Sequence, residues 1–392
     1  MRSVPNPDWC LYLPRKSKFR TVFYTEIPDT VDHIDLGEVL EEQWDISPPE
    51  AIIAITGISH QFNIKDKRNL KKDLIEAVKS TGSWIVTCGT ESGVVQFIED
   101  AVDDHVALKK IYIPIVGILS KRVLDEIKPL KGAFKVKETN DKIPTKSTKE
   151  TLDPNHTQFV VLGDPSINLP RDCASSECRN AFQSFLSNIK DADFKTQRYN
   201  DEPKSTIHDT ERKYANYKPN EILPVVLVLI EGGIDAMKTV RSVLANNNHV
   251  VVIDGSGGAA SFLSTCYQRA TRCKHGKGES ISRCKHGKRK SKGETSTLSN
   301  ADENIQVLID ECFENDSEEL KEEAKELEKC CLPKHKLIHI YSLKNATTKA
   351  DELIQNAIFN TYTEYYDKEV ANQRGSIYEE DLKINIEKKN WN

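Results

Sequence analysis

The apolar residues of this chain gather in short, unbroken runs rather than in a strict apolar–polar alternation. Ala51–Thr56, Trp84–Thr87, Phe159–Leu162, Val225–Ile230, Val250–Ile253 and Leu337–Tyr341 are the clearest. Runs this short and this continuous predict strands covered on both faces. Between them lie stretches with apolar residues at helical spacing: Asn69–Ser80, Glu177–Ile189, Asp302–Phe313, Glu318–Cys331 and Ala350–Thr361. Strands that alternate with helices predict crossover connections and therefore parallel pairing. The expected fold is α/β: a Rossmann-like, doubly wound, mostly parallel sheet with helices on both faces and long charged insertions. Ile111–Ile118 also reads as a strand, where Pro114 predicts a bulge or a sheet edge because it has no N–H for the ladder.

Residues 221–263 organise the chain. A run stops at Glu231-Gly232-Gly233, about a dozen residues of helical pattern follow, and a second run stops at Asp254-Gly255-Ser256-Gly257-Gly258. A third junction of this kind follows Thr87, at Cys88-Gly89-Thr90-Glu91-Ser92-Gly93. Around this frame the expected organisation is an extended lead-in over 1–20, a first Rossmann-like half over 21–190 and an exposed linker over 191–220. A second half spans 221–361 with a disordered basic insert at 269–300, and a charged tail occupies 362–392. Lys131–Pro154 reads as a surface loop, and acidic Glu318–Glu328 as a solvated helix face and a candidate counter-surface for the basic insert.

Charge and cysteines narrow the function. A net charge of −5 over 392 residues argues against nucleic acid as the main partner, which needs a dominant basic surface. The 10 scattered cysteines, with no apolar leader ahead of them, read as reduced thiols of a cytosolic protein. No run approaches the roughly 18–20 apolar residues of a membrane span. The insert repeats Arg272-Cys273-Lys274-His275-Gly276-Lys277 as Arg283-Cys284-Lys285-His286-Gly287-Lys288. Its Cys-x-His spacing and surrounding lysines fit a solvated basic loop better than a zinc site. Contact with anionic lipid is a weaker reading of the same charge.

Glycine loops at the carboxyl ends of parallel strands suit anions, because backbone N–H groups and the positive ends of helix dipoles collect there. The candidate ligand residues are Gly89, Thr90, Ser92, Gly93, Glu231, Gly232, Gly233, Asp254, Gly255, Ser256 and Gly257. No loop carries the dinucleotide or Walker fingerprint. His249 at a strand start reads as a structural histidine, and no residue stands out as a catalytic nucleophile.

Taken together, Trp84–Thr90, Ser92-Gly93-Val94, Pro224-Val225-Val226, Glu231-Gly232-Gly233 and Asp254–Gly257 resemble the cytosolic amino-terminal homology region of melastatin-type transient receptor potential (TRPM) channels, a SLOG-type domain. The resemblance runs from about Lys18 to the helix near residue 361. It implies an assembly and ligand-sensing part of a tetrameric, calcium-permeable cation channel at the plasma membrane, with other channel subunits as partners and an ADP-ribose-like nucleotide as candidate ligand. In the family's ligand motif an arginine opens the helix after the second loop, which falls on Arg179. The associated tyrosine has no counterpart, and the arginine after Gly-Ser-Gly is replaced by Gly258. Related phosphoribohydrolases carry Pro-Gly-Gly-x-Gly-Thr-x-x-Glu. Laid on Glu231–Thr239, this puts Thr239 where the catalytic Glu would stand, which implies a non-enzymatic domain. The alternatives are a stand-alone nucleotide-binding or phosphoribohydrolase-like protein, and a scaffold with an unused crevice.

Overall fold

The computed structural model describes residues 10–15, 18–27, 48–57, 67–89, 112–121, 156–162, 174–189, 223–275, 299–313, 317–344 and 348–365, with 40, 44, 46, 97–98, 101–102, 152 and 367 beside them. Nine strands form one sheet: β1 (Cys10–Arg15), β2 (Lys18–Ile27), β3 (Ile52–Thr56), β4 (Trp84–Thr87), β5 (Ile115–Ser120), β6 (Gln158–Leu162), β7 (Val225–Leu229), β8 (His249–Asp254) and β9 (Ile338–Ser342). Their order is β1-β2-β6-β5-β4-β3-β7-β8-β9. Strands β2 to β9 are mutually parallel, and β1 is an antiparallel edge. After the edge hairpin of β1 and β2 the chain crosses to β3, steps outward through β4, β5 and β6, then returns to the other side of β3 for β7, β8 and β9. That reversal between β3 and β7 is the topological switch point of a doubly wound sheet.

Both sheet faces are apolar, which is why the runs looked continuous. Ile52, Ala54, Val225, Leu227, Leu229, Val250 and Val252 belong to one core. Their alternating neighbours Ile53, Ile55, Val226, Val228, Val251 and Ile253 belong to the other. The first core is covered by α2 (Ala174–Ile189), α3 (Ile234–Ala245), α4 (Gly258–His275), α5 (Ser299–Cys312) and α6 (Glu318–Lys334). The second is covered by α1 (Lys67–Thr81), by Phe97, Ile98, Ala101 and Val102, and by α7 (residues 350–365). The carboxylate of Asp73 on α1 accepts the N–H of Ala350 at 3.0 Å and so caps α7. Burial raises the pKa of that carboxyl.

The structure corrects several expectations. The lead-in is a hairpin: Cys10↔Phe23 to Arg15↔Lys18 pair antiparallel, with Pro14 in the edge strand, where a missing donor is tolerated. Pro114 marks no edge and no bulge. It lies one residue before β5, a strand flanked by β4 and β6, and its carbonyl accepts the N–H of Ile85 at 3.0 Å. Disorder does not begin at Arg269, because α4 continues to His275. Phe262, Leu263 and Cys266 anchor that helix in the core. The rest of the basic insert up to residue 298, the loop 131–154 apart from Leu152, the linker 191–220 and the tail beyond residue 367 lie outside the described residues, while α7 runs to 365 rather than 361. Nor is α6 a solvated face throughout. Leu320, Ala324, Leu327 and Cys331 are buried, and Glu323, with its side chain 7% exposed, meets Arg241 of α3 through Nε–Oε1 at 2.8 Å and Nη2–Oε2 at 3.0 Å.

Candidate functional site

The carboxyl ends of β3 and β7 meet at the switch point, where an open parallel sheet places its ligands. Three loops converge there backbone to backbone. Gly57, directly after β3, has φ +141°, and a Cβ on it would collide with the carbonyl oxygen of Ile230. Gly232 has φ +91° and stands over Gly57, whose Cα is 3.6 Å from where a Gly232 Cβ would be. Gly258, with φ +48°, would drive a Cβ into the Gly232 carbonyl oxygen. Only glycine allows approaches this close in these conformations.

Hydrogen bonds lock the β7–α3 loop to the β8–α4 loop. Ala259 N–H donates to the Gly232 carbonyl at 2.8 Å, and Ala260 N–H donates to the Glu231 carbonyl at 3.0 Å. The Ser256 hydroxyl accepts the Glu231 N–H at 2.8 Å and donates to the Ile253 carbonyl at 2.6 Å. The Gly257 N–H donates to the Ser261 hydroxyl at 3.2 Å. Glu231 itself has φ +53°, an uncommon conformation for a residue with a side chain, and is buried. Beside them Asp254 accepts the Leu343 N–H at 3.0 Å through its carbonyl, and Gly255 forms an exposed turn. The open side of the junction is at α3. Among the described residues its N-cap, Gly233, has no side-chain cap, and none stands within 4 Å of where its Cβ would be.

The other candidates divide. Gly89 has φ +70° and packs with a would-be Cβ 3.1 Å from Leu119 and from Phe159, while its N–H donates to Thr87 Oγ1 at 3.1 Å. That hydroxyl in turn meets the buried His156 Nε2 at 2.7 Å. Gly89 therefore serves packing at the end of β4. Thr90, Ser92 and Gly93 lie outside the described residues, and Arg179 is placed only as a backbone position in α2. Sequence reasoning missed Gly57, whose signal was its place directly after the central buried strand, and read Gly258 only as a lost arginine.

Thr239 is buried. Its hydroxyl donates to the Asp235 carbonyl at 3.0 Å and accepts from Gln183 Nε2 at 3.2 Å. His249 faces His339 across β8 and β9, Nδ1 to Nε2 at 2.9 Å, and burial lowers the pKa of each to about 4. His249 Nε2 finds no partner among the described residues. Burial raises the Cys266, Cys312, Cys330 and Cys331 thiols, Cys312 to about 11, so these groups are poor nucleophiles. Among the described residues no three His, Cys, Asp or Glu side chains gather as metal ligands, and no helix is long and apolar enough to cross a membrane.

The family described as SLOG in TRPM matches residues 24–330, which takes in the end of β2, β3 to β8, α1 to α5 and most of α6. The chain is similar to transient receptor potential cation channel subfamily M member-like 2 of Nematostella vectensis, at 26% identity over 244 residues, 59% of this chain and 14% of that protein. It is similar to subfamily M member 6 of Mus musculus, at 27% over 241 residues, 60% of this chain and 10% of that protein. Subfamily M member 2 of Rattus norvegicus matches at 22% over 255 residues, 62% and 15% respectively. The matched region is thus a small part of each of these relatives.

Proposed function

The chain belongs to the family described as SLOG in TRPM, and on that premise we propose that it is the cytosolic amino-terminal assembly and ligand-sensing domain of a TRPM-type, calcium-permeable cation channel. The carrying observation is the family match over 24–330, which coincides with the sheet that builds the β3/β7 switch point. Other subunits of a channel tetramer are its partners in this reading, and it works at the plasma membrane through them. The candidate ligand is an ADP-ribose-like nucleotide in the crevice at the uncapped start of α3, with Arg179 as the cationic contact. The domain is non-enzymatic: at the position of the related hydrolases' catalytic carboxylate, the Thr239 hydroxyl is held by Asp235 and Gln183 and has no acid–base capacity near neutral pH.

Two measurements test this. Transcripts that carry this coding region, read at full length, are expected to continue into apolar spans of about 20 residues each. If no such transcript exists and the chain fails to co-purify with TRPM subunits, the channel reading falls. Calorimetry with ADP-ribose, NAD and cyclic ADP-ribose tests sensing. Heat that is reduced at least about tenfold in affinity by Arg179→Ala, the loss of a charge-assisted contact, is the expected result. Absence of heat with all three removes the ligand and leaves an assembly scaffold.

A further inference from the structure

β9 is the last strand of the sheet, and among the described residues it pairs on one side only, with β8. Two histidines stand at that seam. His249 opens β8, and His339 is the second residue of β9. Their alternating neighbours Val251, Ile253 and Tyr341 lie in the second core, so both rings are on that face of the sheet. His249 Nδ1 and His339 Nε2 are 2.9 Å apart, with ring centroids at 5.1 Å. His249 is 1% exposed, and its Nε2 has no partner among the described residues.

That orphan atom fixes the tautomers. A buried N–H without an acceptor is the rarer and costlier of the two arrangements, so His249 carries its proton on Nδ1, donates it to His339 Nε2 and leaves its own Nε2 bare. One lone pair of the two rings then accepts within the pair, and the other is sealed from water. A further proton must either put a charge into the core or break the contact, and breaking it costs less when one partner is on an edge strand. We propose that the histidine pair is an acid-sensitive fastener of the sheet edge: proton uptake parts His339 from His249 and releases β9 from β8 while the central strands stay paired.

The release reaches the opposite end of the strand. There the Leu343 N–H donates to the Asp254 carbonyl at 3.0 Å, and Leu343 Cβ is 3.7 Å from where a Gly255 Cβ would be. Loss of β9 removes this outer brace from the Asp254–Gly257 loop beside the switch point, whatever the crevice binds. α7 has its own anchors, Asp73 at Ala350 and Ser80 at Gln355, so β9 can part without it.

Both rings are depressed to about 4 with the edge closed, against about 6.5 for a histidine in water. The detached edge therefore binds more protons between these limits, and falling pH favours it. On the same face β7 and β8 add only apolar Val226, Val228, Val251 and Ile253. The titratable side chains nearest in sequence on β9 and its approach are His335, Lys336 and Tyr341, and the last turn of α7 carries Tyr362, Glu364 and Tyr365. None of these contributes to either shift, which comes from burial and, for His339, also from His249.

Hydrogen exchange of the full chain, expressed as protection factors to remove the intrinsic pH dependence, tests the release. Between pH 7 and pH 4.5, protection of residues 338–343 is expected to fall at least about tenfold, and that of 52–56 and 225–229 by less than about threefold. The His249→Gln/His339→Gln variant, which keeps polar side chains that take no proton in this range, is expected to lose most of the difference. Protection that holds to pH 4.5, or that falls only in step with β3 and β7, overturns the fastener. A fall of full size in the variant also overturns it, by placing the acid response elsewhere. Nitrogen NMR of the histidine rings in the wild-type chain at pH 7 needs no variant to fold. It is expected to show His249 protonated at Nδ1 and bare at Nε2, and a proton on His249 Nε2 would overturn the pair's sealed lone pair and the release built on it.

Discussion

At Gly57 one hydrogen atom decides whether β3 and β7 can end side by side. The place a Cβ would occupy is filled by the Ile230 carbonyl oxygen, a main-chain atom that cannot swing aside, and φ is +141°. Gly57→Ala is therefore expected to destabilise the fold by about 3 kcal/mol or more. Gly233, also a loop glycine, has φ −106° and, among the described residues, no atom within 4 Å of where its Cβ would be. Gly233→Ala should change stability by less than about 1 kcal/mol. Urea denaturation of the pair checks the contrast, and equal shifts would defeat the account. These glycines were visible in the sequence but their roles were not, because a glycine's purpose depends on which main-chain atom approaches it. Gly57 and Gly258 meet residues more than twenty positions away. His249 and His339 give a second residue-scale expectation. Both are depressed to about 4 in the folded chain, against about 6.5 when unfolded. The unfolded state thus binds more protons in this window. The contribution is fully present above about pH 6.5 and is lost as pH falls toward 4, on the order of a few kcal/mol. Thermal melts of wild type and a His249→Gln/His339→Gln variant across that range should show the acid limb flattened in the variant.

The elements that could be read from sequence were those whose pattern is complete within the element. Strands β3, β4, β7 and β8 carry enough apolar residues for both faces, and α2 and α5 show a plain stripe. The elements that misled depend on partners far along the chain. Short, proline-containing β1 is a strand because β2 supplies its ladder. Acidic α6 looked solvated because two of its ion-pair partners are on α3, some eighty residues earlier: Lys238 meets Glu319 at 2.6 Å and Arg241 meets Glu323. The second pair is unequal in burial, and that inequality makes a prediction. Glu323 has a side chain 7% exposed, whereas Arg241 is 42% exposed. Arg241→Ala strands a buried carboxylate, at a cost of about 1–3 kcal/mol. Glu323→Ala leaves a guanidinium that water can reach, so its electrostatic cost is smaller. Denaturation midpoints should rank Arg241→Ala below Glu323→Ala, and the reverse order would show that lost packing dominates.

At the scale of the whole molecule, the sheet joins segments that the sequence pattern had separated into halves. The carboxyl-edge loops were recognisable one by one, but which of them touch is set by strand order, and the return of the chain from β6 to β7 brings Gly57, Gly232 and Gly258 together. The same return makes the halves interdependent. Strand β3 pairs with β7 from Ile52↔Val225 to Thr56↔Leu229, in the middle of the sheet, and each of the two cores draws residues from both sides of the junction. Strand β9 and helix α7, beyond the family match, complete the second core through Tyr341, Ala350, Ile354, Ala357 and Ile358, and Gln355 Nε2 reaches Ser80 on α1 at 2.8 Å. A cut between Ser205 and Thr206 would therefore leave each fragment with an open, apolar central edge, the arrangement that invites aggregation. Expressed alone, each piece is expected to be insoluble or to melt without cooperativity. Co-expressed, they should reassemble, since the cut breaks no β3–β7 contact. The intact chain should unfold in one transition over the sheet, with coincident fluorescence and circular dichroism curves. A soluble fragment with its own cooperative melt would show that the Rossmann-like halves are independent domains, and that the switch-point crevice is an interface between them rather than part of one core.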